Sequence, residues 1–370
     1  MGSLLCILKT MKKIFLISLI IIVLGGAVYF FWPFFKSLFT ESGIQNQSNF
    51  QPTNEQGGST NVLVSRPIFD YWFKGDEIYY LTLEGEFFRI SPTGTHRRID
   101  FPPIIDRSFL KPSFDGKLAL VAFGNKDNVV LSVFDSETNS WLLVDEAVIS
   151  AAWHPSQNQI VYLKSGSDSS SLKILNLANK QTVEVTKLNI EDVALEWLTP
   201  DEIYIFGKPS SLAASSLWAL NVSKKTLRAV IKDEFGLMTL WGGDGKRALK
   251  FNTRGGESRL AFIDSNNKIL APVPLAITLP SKCSFEGVLL YCAIPKVIPS
   301  QTVLPDDYLK LKFYSQDDFL VWNTETGEIK TVFETTDAFF DAQELRKKDN
   351  KLFFINRYDR NLYSLEIKNP

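Results

Sequence analysis

LWALNVSKKTLRAV, Leu217 to Val230, is two short apolar runs joined by a polar corner, and the chain writes it repeatedly. LSVFDSETNSWLLV from Leu131, LKILNLANKQTVEV from Leu172, LAFIDSNNKILAPV from Leu260 and FLVWNTETGEIKTV from Phe319 follow the same plan. Its opening half recurs as FFRIS from Phe87 and LYSLE from Leu362. The fifth position is a turn-former in six of the seven copies (Ser91, Asp135, Asn176, Asn221, Asp264 and Asn323), with Glu366 the exception. A short polar side chain there bonds its own backbone two residues on and starts a hairpin. The copies are spaced 44, 41, 45, 43, 59 and 43 residues apart. A period of this size marks a repeat architecture.

A second pair of strand-like runs precedes each copy. SAAWHPSQNQIVYLK (Ser150 to Lys164) is the clearest, with relatives FLKPSFDGKLALVAF, ALEWLTPDEIYIF, LWGGDGKRALKF, KCSFEGVLLYCAI and ELRKKDNKLFFINR. Each is a β-rich run, a turn carrying Pro, Gly, Asp or Asn, and another β-rich run. One repeat is therefore four short strands, a to d, in a meander. Leu217 and Ala219 face one way and Trp218 and Leu220 the other, so both faces are apolar. Stacking four-stranded sheets around an axis covers both, whereas a β-sandwich would show one polar face. The last repeat ends at Pro370 without a strand d, and NVLVSRP (Asn61 to Pro67) is a strand without a hairpin partner. Residues 61–66 are expected to supply the missing strand. The expectation is an all-β, seven-bladed β-propeller of four-stranded antiparallel blades over residues 61–370.

The a–b turns in WHPSQNQIVY and LKPSFDGKLALVAF resemble those of TolB-type propellers, with Asp115–Gly116 and Asp244–Gly245 keeping the Asp-Gly of that turn. VWNTETGEI is similar to the c–d turns of WD-repeat and quinoprotein propellers. The resemblance covers roughly residues 61–370 and implies a ligand- or protein-binding platform. It carries over no catalytic residue.

Ile14 to Phe35 runs 22 residues without a charge, enough to span a hydrocarbon core. Lys9, Lys12 and Lys13 precede it and only Lys36 follows closely, which places residues 1–13 in the cytoplasm. One N-terminal transmembrane helix over 14–35 is expected, with the propeller outside the inner membrane. A cleaved signal peptide ending near Gly25 and Ala27 is the rival. Met11 is an alternative start. Residues 41–60 are polar and lack apolar periodicity, a composition that cannot build a core, and 36–60 are expected to form a flexible tether.

A formal charge of −1 gives no footprint for nucleic acid. Arg97–Arg98 and Arg346–Lys347–Lys348 fall in expected hairpin turns. His96 and His154 have no partner at metal-ligand spacing, and no nucleophile elbow, zincin motif, phosphate loop or C-x-x-C occurs. No metal, no cofactor and no catalytic residue is expected, and the chain is expected not to be an enzyme. Cys283 and Cys292 lie on strands a and b of the sixth repeat; a disulfide is the expectation and a pair of buried thiols the alternative. The 59-residue step comes from an insertion, residues 294–318, in which Pro305, Asp306 and Asp307 start a short helix.

In a meander of this kind the b–c and d–a loops share one face. The d–a loops carry Asp106, Glu146, Glu191, Asp192, Asp233, Glu234, Asp337 and Asp341, partly offset by Arg107, Lys187 and Lys232. An acidic mouth there focuses field on cationic ligands, basic peptide segments or a metal ion. Asp306, Asp307 and Tyr308 are expected at its rim, and the tether on the opposite face. The expected role is a membrane-tethered binding platform for another envelope protein or peptide. A structural part of an envelope or secretion assembly is the alternative, and a propeller hydrolase or quinoprotein-like enzyme the third.

Overall fold

A computed structural model describes residues 60–125, 128–336 and 338–367. The expected membrane span and nearly all of the tether lie outside the described residues. Among the described residues no helix is long and apolar enough to cross a membrane.

The chain is almost wholly antiparallel sheet. Five sheets have four strands each, and a sixth has seven. In sequence order they cover 68–98, 107–145, 148–188, 193–271, 283–333, and 342–366 with 60–64. The seven-stranded sheet arises from one strand of 16 residues, Thr226–Trp241. Its first part pairs with Ala214–Asn221 and its last part with Arg247–Arg254. Thr60–Val64 lies on the outer edge of the last sheet, with Thr60 opposite Leu365 and Asn61 opposite Ser364. The first and last strands of the described chain are therefore neighbours.

Burial explains the stacking. Middle strands such as Leu118–Phe123 and Gln159–Lys164 bury four consecutive residues each, on both faces. An outer strand such as Ser140–Asp145 buries none. The core is divided into clusters lying between successive sheets. Trp72, Phe87 and Phe134 join the first sheet to the second, and Leu120, Trp153 and Tyr162 the second to the third. Tyr291, Phe319 and Phe354 join the fifth to the last. Val64, Tyr71, Tyr80 and Phe353 join the last sheet back to the first. Each fully buried large apolar side chain contributes about 1.5–3 kcal/mol. The clusters form a closed circuit, which is the packing of a β-propeller.

The turn-formers of the repeat act as the sequence requires. Asp135 Oδ1 accepts from the amides of Glu137 and Thr138, Asn176 Oδ1 from Ala178 and Asn179, and Asn323 Oδ1 from Glu325 and Thr326. Cys283 and Cys292 are directly opposite in the strand pair, with Cα atoms 4.1 Å apart, and are joined by a disulfide. The long insertion folds back on the sheets. Its helix, α1 (Asp306–Leu309), packs Leu304, Tyr308 and Phe313 against Phe251 and Leu279.

Candidate functional site

First strands of neighbouring sheets meet on the axis side, as 148–153 does with 193–199 and 283–286 with 342–348. Charged groups converge there. The Lys111 ammonium donates to the carbonyls of Ala151 (3.0 Å) and Leu195 (2.9 Å), on the first strands of the next two sheets. Burial pushes the Lys111 ammonium down, opposed by Glu196, and pushes the Glu196 carboxyl up, opposed by Lys111. Across the axis Arg346 pairs with Asp70 at 2.9 Å and with Glu344 at 3.3 Å, its guanidinium 4.4 Å from the Tyr71 ring centre. Burial raises the Asp70 carboxyl to about 7 against the pull of Arg346.

A second cluster is sealed beneath the insertion. The Lys282 ammonium lies 2.7 Å from Asp317 and 2.5 Å from Asp341, and Arg357 reaches Asp341 at 2.6 Å. All four side chains are at most 1% exposed. Burial alone would lower the Lys282 pKa, but Asp317, Tyr308 and Asp341 outweigh it and hold the ammonium charged. Arg357 also donates to the carbonyls of Tyr308 and Phe313 and lies 3.7 Å from the Tyr308 ring centre. Two cations and two carboxylates balance, so the cluster fastens the insertion without presenting net charge.

The open site lies on the face made by the b–c links and the links between sheets. A cavity of about 870 Å³ spans the second to fourth sheets and is lined by Asp106, Arg107, Ser108, Asn125, Ser165, Glu191, Asp192 and Lys208. Lys208 pairs with Asp192 at 2.6 Å, and Arg107 is committed to the carbonyls of Ile104 and Leu83. Among the described residues no other side chain engages the carboxylates of Asp106 or Glu191.

The structure thus brings Asp106 and Asp192 together and separates the other expected residues from them. Asp233 is exposed midway along the strand Thr226–Trp241 and not in a loop, and its carboxylate accepts from Ser216. Asp337 lies outside the described residues. Asp341 belongs to the sealed ion cluster. Asp306 and Tyr308 are turned inward rather than presented at a rim, because the insertion packs on apolar residues. Burial would raise Asp306, yet the Ser211 amide and Lys310 hold its carboxyl at about 2. Asp307 accepts from the Val303 amide and so fixes the turn into α1. His154 is buried against Trp197, and His96 contacts the Tyr80 hydroxyl. Sequence reasoning missed Asp70, Lys111, Glu196, Lys282, Asp317 and Arg357. The only local sign was a charge at or within an otherwise apolar run, as Lys111 in FLKPSF.

No protein-family model matches the sequence, and no curated protein is similar to it. Solved β-propellers do resemble the chain. An oligogalacturonate lyase in complex with manganese is 12% identical over 87% of this chain and 96% of that one, with a TM-score of 0.61. The β-propeller domain of the Trilobed protease from Pyrococcus furiosus is 12% identical over 82% and 99%, with a TM-score of 0.57. TolB from Acinetobacter baumannii is 12% identical over 81% and 79%, with a TM-score of 0.41. The fold is a β-propeller. Acylaminoacyl peptidases share it too, this chain covering 51% of one of them. The expectation that the chain is not an enzyme is therefore corrected: a lyase and peptidases are among the proteins carrying this fold, and missing linear motifs do not exclude catalysis, since propeller sites converge from separate blades. Among the described residues no group of three or more His, Cys, Asp or Glu side chains could hold a metal ion.

Proposed function

We propose that the protein is an exported, membrane-tethered β-propeller that captures a cationic ligand or substrate, of the class of basic peptide segments, in the acidic mouth over its second to fourth sheets. The cavity carries this reading: Asp106 and Glu191 line it with carboxylates that no other described side chain engages, while Asp192 is paired with Lys208. Negative charge in a concave site raises the local concentration of a cation. Export is supported by the Cys283–Cys292 disulfide, which persists outside the reducing cytoplasm, and tethering by the uncharged run from Ile14 to Phe35. We infer further that the seven-stranded sheet is two blades sharing the strand Thr226–Trp241, giving seven blades.

The test uses the full chain in lipid nanodiscs and a fluorescent hexalysine peptide, read by anisotropy. Binding should be saturable and weaken with salt. The double change Asp106→Asn with Glu191→Gln should weaken it about tenfold or more, roughly 1.4 kcal/mol. Unchanged affinity in that variant rules the mouth out as the binding site. Mass spectrometry of the peptide after incubation reads turnover in the same preparation.

A further inference from the structure

Three c–d hairpins in succession, one on the third sheet and two on the fourth, turn through corners of the same make. Lys180, the pair Lys224 and Lys225, and Lys268 stand exposed at the tips. Shortly after each tip the outer strand presents an exposed apolar side chain: Val183 (60%), Leu227 (45%) and Ile269 (66%). The corners adjoin one another. Val222, beside the second tip, packs in one cluster with Ile174 and Val185 on the strands of the first hairpin. Arg228 donates to the carbonyl of Ser265 at 3.3 Å, which joins the second corner to the third.

Charge sets these corners apart from their neighbours. Among the described residues none of the four ammonium groups forms an ion pair, and across 176–186, 221–230 and 264–271 Glu184 is the only exposed carboxylate. The adjoining a–b turns add Asp201 and Asp244 with Lys246, which leaves cations in excess. The corners on either side are acidic instead: Asp135 and Glu137 on the second sheet, Glu325 and Glu328 on the fifth. Glu137 is paired with Lys117 and Glu325 with Arg247. A single exposed apolar residue needs no explanation, but three in succession, each behind a free cation, make one surface that is basic and apolar together.

We propose that the three corners seat the propeller on an anionic lipid bilayer, with the lysines at the headgroups and Val183, Leu227 and Ile269 at the boundary with the acyl chains. Lysines near an anionic bilayer are attracted by its surface potential, and apolar side chains beside them gain by burial at the interface. Two observations favour a bilayer over a soluble acidic partner. Thr60 pairs with Leu365 and so enters its sheet at the c–d end, the end that carries the corners. The uncharged run closes at Phe35, and only residues 36–59 separate it from Thr60; a polar chain of that length has a mean span of about 25–30 Å. Seated this way, the propeller turns the face of its acidic mouth away from the lipid. The proposal rests on the tethering reading for the presence of the bilayer and on nothing about the ligand of the mouth.

The experiment uses the full chain with Cys6→Ser, so that one introduced cysteine takes a bimane label: Ile269→Cys at the third corner or Leu212→Cys in the exposed b–c link of the fourth sheet. Nanodiscs hold phosphatidylcholine alone or with roughly one-third phosphatidylglycerol, and a nitroxide on the lipid acyl chains quenches a label that reaches the bilayer. In the anionic discs the label at 269 should be quenched at least about threefold more than the label at 212. That difference should shrink as salt rises, and vanish both in phosphatidylcholine and in the triple variant Lys224→Glu, Lys225→Glu, Lys268→Glu. Equal quenching of the two labels in anionic discs, or quenching at 269 that survives the triple charge reversal, overturns the proposal. So does polyglutamate that binds through the same lysines and releases the label from lipid, which would make the corners a site for an acidic protein. A chain that separates from the discs on gel filtration refutes the tether alone; the same quenching, read with anionic vesicles in excess, then decides the seating by the same criteria.

Discussion

Asp70 is a buried acid at the place where the first sheet meets the last, and its folded-state pKa of about 7 lies above its ordinary 3.8. Between those values the folded chain holds a proton that the unfolded chain has lost. The contribution of this group to stability is therefore largest below about pH 4 and falls as the pH rises through 7. Asp70→Asn should flatten that fall, so that its urea midpoints at pH 5 and pH 8 lie closer together than those of the unchanged chain. An equal spread in both proteins would assign the slope to other groups. Lys282 poses the converse case, a buried cation shared by Asp317 and Asp341. Lys282→Met leaves two carboxylates with Arg357 alone and should cost about 3–5 kcal/mol, read as a lower denaturation midpoint. A loss below about 1 kcal/mol would mean that water or a carboxyl proton relieves the site.

At the scale of turns and strands, Gly116 is a tightly constrained position. Its φ is +71°, and a Cβ there would stand 1.9 Å from the Phe73 carbonyl oxygen of the neighbouring sheet. Its own carbonyl accepts from the Trp72 indole. Gly116→Ala must move backbone and should cost about 2 kcal/mol or more, whereas Gly94→Ala, with open space around it, carries only the milder cost of its positive φ. Thermal melting of the two variants separates close approach from conformation. These turns were legible in the sequence because their causes are local: a carboxylate or amide two residues from the N–H it accepts, and a glycine where φ is positive. The insertion was legible as an element, since Pro305 and two acids announce α1. Where its side chains would point was not. Tyr308 reads as a rim residue until Arg357, 49 positions away, is seen to occupy the space beside it.

For the whole molecule, the period fixed the sheets but gave no access to the charged groups that meet across them. Lys111 bonds to carbonyls 40 and 84 positions downstream, and a repeat read one unit at a time places none of them together. The closure is testable at this scale. Deleting residues 60–66 from the full chain strips the strand Leu362–Glu366 of its outer partner and exposes an edge that invites association. The shortened protein should melt earlier and aggregate on heating; melting equal to that of the full chain would refute the closure. The same pairing has a topological corollary. With Thr60 opposite Leu365, the described sheets have no structurally privileged first or last residue. A short peptide bond path from residue 366 to residue 60, with the chain opened instead in the exposed Gly255–Gly256 turn, would leave every sheet intact and exchange one seam for another. The order in which this ring is written is a convention of its gene, and a circular permutant is the same object begun elsewhere.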